Sequence, residues 1–290
     1  MNIAEVLETL SIDYRSAGES PHVTQGWIGV RCVWCDNGKG NYGLGIRTDT
    51  GACRCWSCGN HSLAEALVLA SGQPWPTVLA LLKGMAPERL KEPLRKQGKL
   101  ALPQGIGPLL PCHRGYLKGR GFDPDELTAT WGVQGIGLSS RLSWRVFIPI
   151  ALPDGTTASW TTRGLTNDPP RYVNAKPEEE AFPAKELLYG ECLAFGAVVV
   201  VEGPTDAWRI GPGAVATLGV VYSSAQVRRI AAFPSRTVCF DAEPNAQARA
   251  RRLCSLLSVF PGKTRLVELD AADPGSASKR EIQLLRRTFL

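Results

Sequence analysis

No stretch of this 290-residue chain is apolar for the about 18 residues that a membrane-crossing helix requires. Its longest apolar run, 195–201, is flanked by turn residues and suits a buried strand. No basic leader opens the chain; its first residues carry Glu5 and Glu8, so no secretory signal is read there. The cysteines number nine, an odd count, and without an export signal they argue against a disulfide framework. With 44% hydrophobic and 21% charged residues, the composition excludes collagen, coiled coil and disordered tail. What remains is an ordinary globular chain, expected in the cytoplasm and away from membranes, long enough for two modest domains.

The net charge of +6 is concentrated. Residues 1–84 hold six Lys/Arg against seven Asp/Glu. Residues 85–120 hold eight bases, Arg89, Lys91, Arg95, Lys96, Lys99, Arg114, Lys118 and Arg120, against Glu88 and Glu92. The rest is close to balance. Such a stretch binds polyanions by releasing their counterions, or serves as a solvated basic linker. The prolines at 74, 76, 87, 93, 103 and 108 favour a linker over 73–110 with one helix near 77–83.

Five of the cysteines fall between 32 and 58. Cys32-Val-Trp-Cys35 and Cys55-Trp-Ser-Cys58, 19 residues apart, form two knuckles, each able to offer two thiolates to one tetrahedral zinc ion. A redox pair is the alternative, but it needs a motif that opens a helix after a strand. Cys53, one residue from Cys55, is set aside as pointing to the other side of a strand. His61 is read as a surface or helix-start residue, since Ser62-Leu-Ala-Glu65 is a capping-box pattern. Short strands around 41–47 and 52–56, joined by a turn at 49–51, complete a zinc ribbon of residues 1–72. Trp27, Trp34, Tyr42 and Trp56 with Arg31, Arg47 and Arg54 suit stacking on single-stranded bases; packing around the metal is the bland reading of Trp34 and Trp56.

A second domain starts near 111. A hairpin is expected over 145–150 and 157–163, with Pro153-Asp-Gly155 as its turn. From 195 the pattern alternates: strands at 197–201, 214–218, 237–240 and 265–269, with helices at 224–232 and 246–257. Alternation implies a parallel sheet covered by helices. Glu202, then Asp241 and Glu243, then Asp270 and Asp273 each follow a strand, where ligands bind open parallel sheets. Carboxylates converging on one edge repel unless a hard cation sits among them, and magnesium is the natural occupant.

These residues carry a resemblance. Val200-Val-Glu202-Gly203-Pro-Thr-Asp206, Phe240-Asp241-Ala-Glu243 and Asp273-Pro-Gly275 resemble the TOPRIM domain of topoisomerases and DnaG-type primases. Upstream, Tyr116-Leu-Lys-Gly-Arg120-Gly, Arg145-Val-Phe-Ile-Pro-Ile150, Trp160-Thr-Thr-Arg163-Gly, Arg171-Tyr172-Val-Asn174 and Lys185-Glu-Leu-Leu-Tyr189 resemble, in order, the catalytic core of those primases. The ribbon resembles their template-binding finger. The family usually has Asp-x-Asp where this chain has Asp241-Ala-Glu243.

The resemblance implies an α+β and α/β architecture: ribbon 1–72, linker 73–110, mixed subdomain 111–194 and TOPRIM subdomain 195–290. It implies a DNA primase using structural zinc and catalytic Mg2+ or Mn2+, in a compact phage or mobile-element form without a fused helicase. Pro261-Gly-Lys-Thr264 is no P-loop, because Leu257 stands where the first glycine belongs. Glu202, Asp241 and Glu243 would bind magnesium, with Asp206, Asp270 and Asp273 beside them. Arg163, Tyr172, Asn174 and Lys185 would bind the incoming nucleoside triphosphate and primer end, and Arg114, Lys118 and Arg120 the template strand. A replicative helicase or other replisome protein is the implied partner. The alternatives are a TOPRIM nuclease or topoisomerase-like enzyme, and a non-catalytic single-strand-binding protein.

Overall fold

Three sheets arise from three patterns of sequence. The computed structural model describes residues 2–35, 42–48, 51–85, 98–139, 141–166 and 168–290; of the expectations above, the ribbon turn at 49–50 and the bases Arg89, Lys91, Arg95 and Lys96 lie outside them. Among the described residues, no helix is long and apolar enough to cross a membrane.

The first sheet is an antiparallel ribbon in sequence order: β1 (Tyr14–Arg15), β2 (Trp27–Val30), β3 (Leu44–Arg47), β4 (Cys53–Cys55) and β5 (Gly59–His61). Helix α1 (Ile3–Thr9) is capped by Asn2, and helix α2 (Leu63–Ser71) by Ser62, whose side chain accepts from the Glu65 amide, as the capping-box pattern requires. Helix α3 (Trp75–Met85) contains the helix expected near 77–83 and starts slightly earlier, and Val78, Leu79 and Leu82 are buried. Their spacing puts them on one face, so this segment packs as part of the core instead of spanning solvent.

The second sheet is antiparallel, in the order β10-β9-β8-β7-β6. Its strands are β6 (Ile106–Gly107), β7 (Gln134–Ile136), β8 (Arg145–Ala151), β9 (Thr157–Gly164) and β10 (Tyr172–Asn174). The expected hairpin is β8–β9, with the Gly155 amide bonded back to Leu152 across the turn. Helices α4 (Pro111–Gly119) and α5 (Pro124–Trp131) connect β6 to β7, each starting with proline at its first turn, where the missing amide costs nothing.

The third sheet is parallel, in the order β12-β11-β13-β14: β11 (Ala197–Val201), β12 (Ala214–Ala216), β13 (Ser235–Val238) and β14 (Lys263–Leu266). Helices α6 (Pro204–Ile210), α7 (Ser224–Ala231), α8 (Pro244–Leu257) and α9 (Lys279–Phe289) accompany it. The four valines of β11 are fully buried, and they alternate between two cores. Val198 and Val200 pack with Val227, Ile230 and Leu253 of α7 and α8; Val199 and Val201 join the core that holds Ala207, Ile282 and Leu285 of α6 and α9. A strand covered on both faces reads as a continuous apolar run, and each buried valine contributes about 1.5–3 kcal/mol. Strands β13 and β14 end two to three residues before the expected positions, because the parallel ladder closes at Val200, Val238 and Leu266. The second of the two cores continues into the ribbon through Ile3, Leu7 and Leu67, so ribbon and sheet share buried surface. Arg286 of α9 bridges them, pairing with Glu65 at 3.0 Å while donating to the Ile210 carbonyl.

Candidate zinc centre and active site

The two knuckles meet. The Sγ atoms of Cys32, Cys35, Cys55 and Cys58 all lie within 4.8 Å of one another, with Cys32–Cys58 at 3.5 Å and Cys35–Cys55 at 3.7 Å. A tetrahedron with metal–sulfur bonds of about 2.3 Å has edges of about 3.8 Å, so the cluster fits zinc. The Ser57 amide donates to Cys55 Sγ at 3.4 Å, which turns the second knuckle back on itself.

Two sequence expectations are corrected here. Cys53 does not point away from Cys55: residues two apart share a strand face, and both are buried on β4. Cys53 stays outside the cluster because it lies one rung further along, opposite His61. His61 is not a surface residue. It is 6% exposed, stacks on Trp34 with ring centroids 3.8 Å apart, and its Nε2 lies 3.0 Å from Cys58 Sγ. The pairing of β4 with β5 brings it there, and the Cys-x-x-Cys-x-x-His spacing was the available signal. Trp34 therefore packs at the centre as the bland reading holds, whereas Trp56 is 86% exposed. Trp56 lines a groove of about 350 Å³ with Trp27, Tyr42 and Arg54.

At the carboxyl ends of the parallel strands, Glu202 follows β11 directly and the chain beyond β13 reaches Asp241. The two strands are neighbours, and the Asp241 amide donates to Glu202 Oε1 at 3.1 Å. Asp206, in the first turn of α6, is 7% exposed; its carboxylate accepts from the Gly203 amide at 2.9 Å and the Gly275 amide at 3.1 Å. Gly275 must be glycine, since a Cβ there would lie 2.8 Å from Asp206 Oδ1. Asp273 caps a 3₁₀ turn over Pro274–Ser276 by accepting from the Ser276 amide at 2.7 Å.

These carboxylates act on one another. Burial, then the charge of Asp241, pushes Glu202 up to about 7. Asp206 is pushed up to about 7 by burial and then by Asp241. Asp241 rises to about 6 through burial and then the charges of Asp273 and Glu243. Asp241 Oδ1 is buried and, among the described residues, has no hydrogen-bond partner. An orphaned carboxylate oxygen among acids that resist ionising together fits a hard divalent cation. Among the described residues, though, only the four cysteines are drawn together as tightly as a preformed metal cluster, so the acids stand wider apart. Glu243 is the exposed residue before α8, and Asp270 is exposed, its backbone amide hydrogen-bonded to Glu281.

Arg163, 8% exposed, donates from Nε to Tyr116 Oη at 2.6 Å and from Nη1 to Tyr172 Oη at 2.7 Å. Arg120 Nη1 donates to the same Tyr116 oxygen at 3.2 Å. Tyr116, Arg120, Arg163 and Arg171 line a cavity of about 430 Å³, rich in guanidinium groups. Tyr116 was legible in its motif but carried no role in the sequence reading; here its hydroxyl joins two arginines. Asn174 accepts from Thr161 at 2.7 Å on β9. Lys185 is committed to three carbonyls, those of Thr217, Leu218 and Val221, at 3.2, 2.7 and 3.0 Å. It shapes the loop after β12, and burial lowers its affinity for a proton. Arg114 is held in a two-pronged pair with Asp125 at 2.9 and 2.6 Å, whereas Lys118 is exposed. Gln247 was missed: its Nε2 donates to the Phe240 and Asp241 carbonyls at 3.2 and 2.9 Å, holding the segment that presents Asp241.

No protein-family model matches the chain, and no curated protein does. Solved structures do. The zinc-binding and RNA polymerase domains of the Aquifex aeolicus primase match at 16% identity and a TM-score of 0.53, over 98% of this chain and 83% of that one. A DnaG primase catalytic domain bound to single-stranded DNA matches at 19% identity and a TM-score of 0.53, over 74% of this chain and 77% of that one. The E. coli primase catalytic core matches at 20% identity and a TM-score of 0.51, over 62% and 73%. Ribbon, mixed subdomain and parallel sheet occur here in the same chain, and the chain has the fold of the zinc-binding and RNA polymerase domains of DnaG-type primases.

Proposed function

We propose that the chain is a DNA primase that synthesises short RNA primers on a single-stranded DNA template. The observation that carries this reading is the set of mutually repelling acids around the orphaned Asp241 oxygen, on a fold shared with primases. Glu202, Asp241 and Glu243 would hold Mg2+ or Mn2+, with Asp206, Asp270 and Asp273 around them. The bound cation would neutralise charge on the reacting phosphate and the departing pyrophosphate. The protein's own residues bind and orient. Arg163, Arg120 and Arg171 face the triphosphate with planar forks suited to phosphate oxygens. Tyr172, stacked under Arg163, and Asn174 set the nucleotide and primer end. Lys185 holds the 217–221 loop beside them. In this geometry the primer 3′-hydroxyl attacks the α-phosphate of the incoming nucleotide and pyrophosphate leaves.

The ribbon of residues 1–72 would present template through the groove of Trp27 and Trp56. The basic segment within 73–110, with Lys118, would hold the template backbone. The subdomains 111–194 and 195–290 would form the polymerase proper, working in the cytoplasm beside a helicase or other replisome protein. Labelled nucleoside triphosphates on a single-stranded template provide the test. The wild type should make primers, and Glu202→Gln should make none while keeping its zinc and its single-strand binding. Template cleavage without nucleotides would point to a TOPRIM nuclease. DNA binding with neither reaction would point to a binding protein.

A further inference from the structure

Arg209, on α6, is hydrogen-bonded to backbone beside both the acids and the guanidinium-lined cavity. Its Nε donates to the Gly275 carbonyl at 3.0 Å, in the turn whose Gly275 amide binds Asp206. Its Nη1 and Nη2 donate to the carbonyls of Gly121 at 3.1 Å and Arg120 at 2.7 Å. Arg120 in turn lines the cavity and bonds Tyr116. The guanidinium lies over the Phe122 ring, 4.4 Å from its centroid, and Phe122 meets Trp208 edge to face. Gly121 has φ +75°, and a Cβ there would meet the Arg209 guanidinium at 3.5 Å. The fork is thus filled by three carbonyls from two segments more than 150 residues apart in sequence.

We propose that Arg209 is a positioning residue that fixes the separation between the phosphate-binding cavity and the carboxylate edge. The proposal rests on the primase reading for what the two sites hold, but not for the spacing itself. Nucleotidyl transfer needs the triphosphate and the cation-binding acids at one fixed distance, and a misplacement of about 1 Å costs about 100-fold in rate. An ammonium can bind three carbonyls of one loop, as Lys185 does, but it is a compact point of charge; the wider planar fork of Arg209 reaches carbonyls of two separate segments in fixed directions, which lysine would not reproduce.

The experiment compares the wild-type full chain with Arg209→Lys and Arg209→Met. Primer synthesis gives kcat and KM for nucleoside triphosphate. Separately, Mn2+ is added without nucleotide, and its paramagnetic broadening of the Gly121 and Phe122 amide NMR signals reads their distance from the acids. In both variants kcat should fall about 100-fold with KM unchanged, and the broadening should weaken or spread. Melting temperature and zinc content check that the chain is folded; should Arg209→Met fail to fold, Arg209→Lys carries the test. Unchanged kcat overturns the proposal. So does a fall in kcat with unchanged broadening, since the spacing would then be intact. If the wild type makes no primers, the primase reading has failed, and the broadening alone decides whether Arg209 sets the spacing.

Discussion

The ribbon and the sheet edge bring their candidate metal ligands together by opposite means. In the ribbon, four ligands come from two knuckles that each close locally, and their sulfur atoms already stand near tetrahedral spacing. Thiolates so close have no fold-independent reason to stay together, so the metal supplies folding energy beyond what buried Ile28, Val30, Leu44 and Ile46 contribute. At the sheet edge the order is reversed. Buried valines of β11 and the ladder to β13 fix the backbones of Glu202 and Asp241 first, and the acids are left wide and strained by mutual charge. There the fold supplies the energy, and the proposed cation would relieve the strain.

The largest effect that tests this contrast is loss of one zinc ligand. Cys55→Ser should abolish zinc binding even with Cys53 intact, and should unfold the ribbon, since a structural zinc site contributes about 10 kcal/mol or more. Metal analysis and limited proteolysis check it; full zinc content would make Cys53 the true third ligand. Next comes Glu202→Gln, which should cut primer synthesis at least about 1000-fold while zinc content holds and the chain stays folded, measured side by side. Glu243→Asp, by contrast, should keep activity near wild type, because Glu243 sits exposed before α8 and the shorter acid still binds a hard cation.

A smaller effect concerns pH. The raised carboxylates bind protons more tightly in the folded chain than in the unfolded one, so their contribution to stability is present at low pH and is lost as pH rises toward about 7 for Glu202 and about 6 for Asp241. Without magnesium, the chain should therefore melt lower at pH 8 than at pH 6, by ~4 °C, and Glu202→Gln should flatten that difference. Calorimetry with and without added magnesium checks it; an equal slope in wild type and variant would place no strain at the edge. The smallest effect separates two bases. Lys118→Ala should lower the log–log salt slope of single-strand binding by about 0.7, whereas Arg114→Ala should leave it unchanged because Asp125 already holds that guanidinium.

Legibility followed sequence distance. The knuckles, the hairpin β8–β9, the continuous apolar run of β11 and the capping of α2 are set by residues within a few positions of one another, and each is present where the sequence puts it. Within 73–110 the helix expected near 77–83 is present as α3, but its start at Trp75 was not legible, because its prolines sit at and before the helix start, where they are tolerated, and so look like breakers. Arg114 illustrates the limit for surface charge: its partner Asp125 lies on the next helix, and nothing local announces the pair.

The sequence by itself determined the two zinc knuckles, the β8–β9 hairpin, the strand–helix alternation from 195 on and the acids near its strand ends, because spacing and periodicity are properties of neighbours along the chain. Only the tertiary structure decided that His61 stacks against the zinc knuckle, that Tyr116 joins two arginines, that Asp241 keeps an oxygen without a partner, and that Arg209 ties Arg120 to Gly275. Each of these depends on strand register or on a contact between segments far apart in the chain, and which distant carbonyl a guanidinium will meet is set by packing, not by the residues beside it.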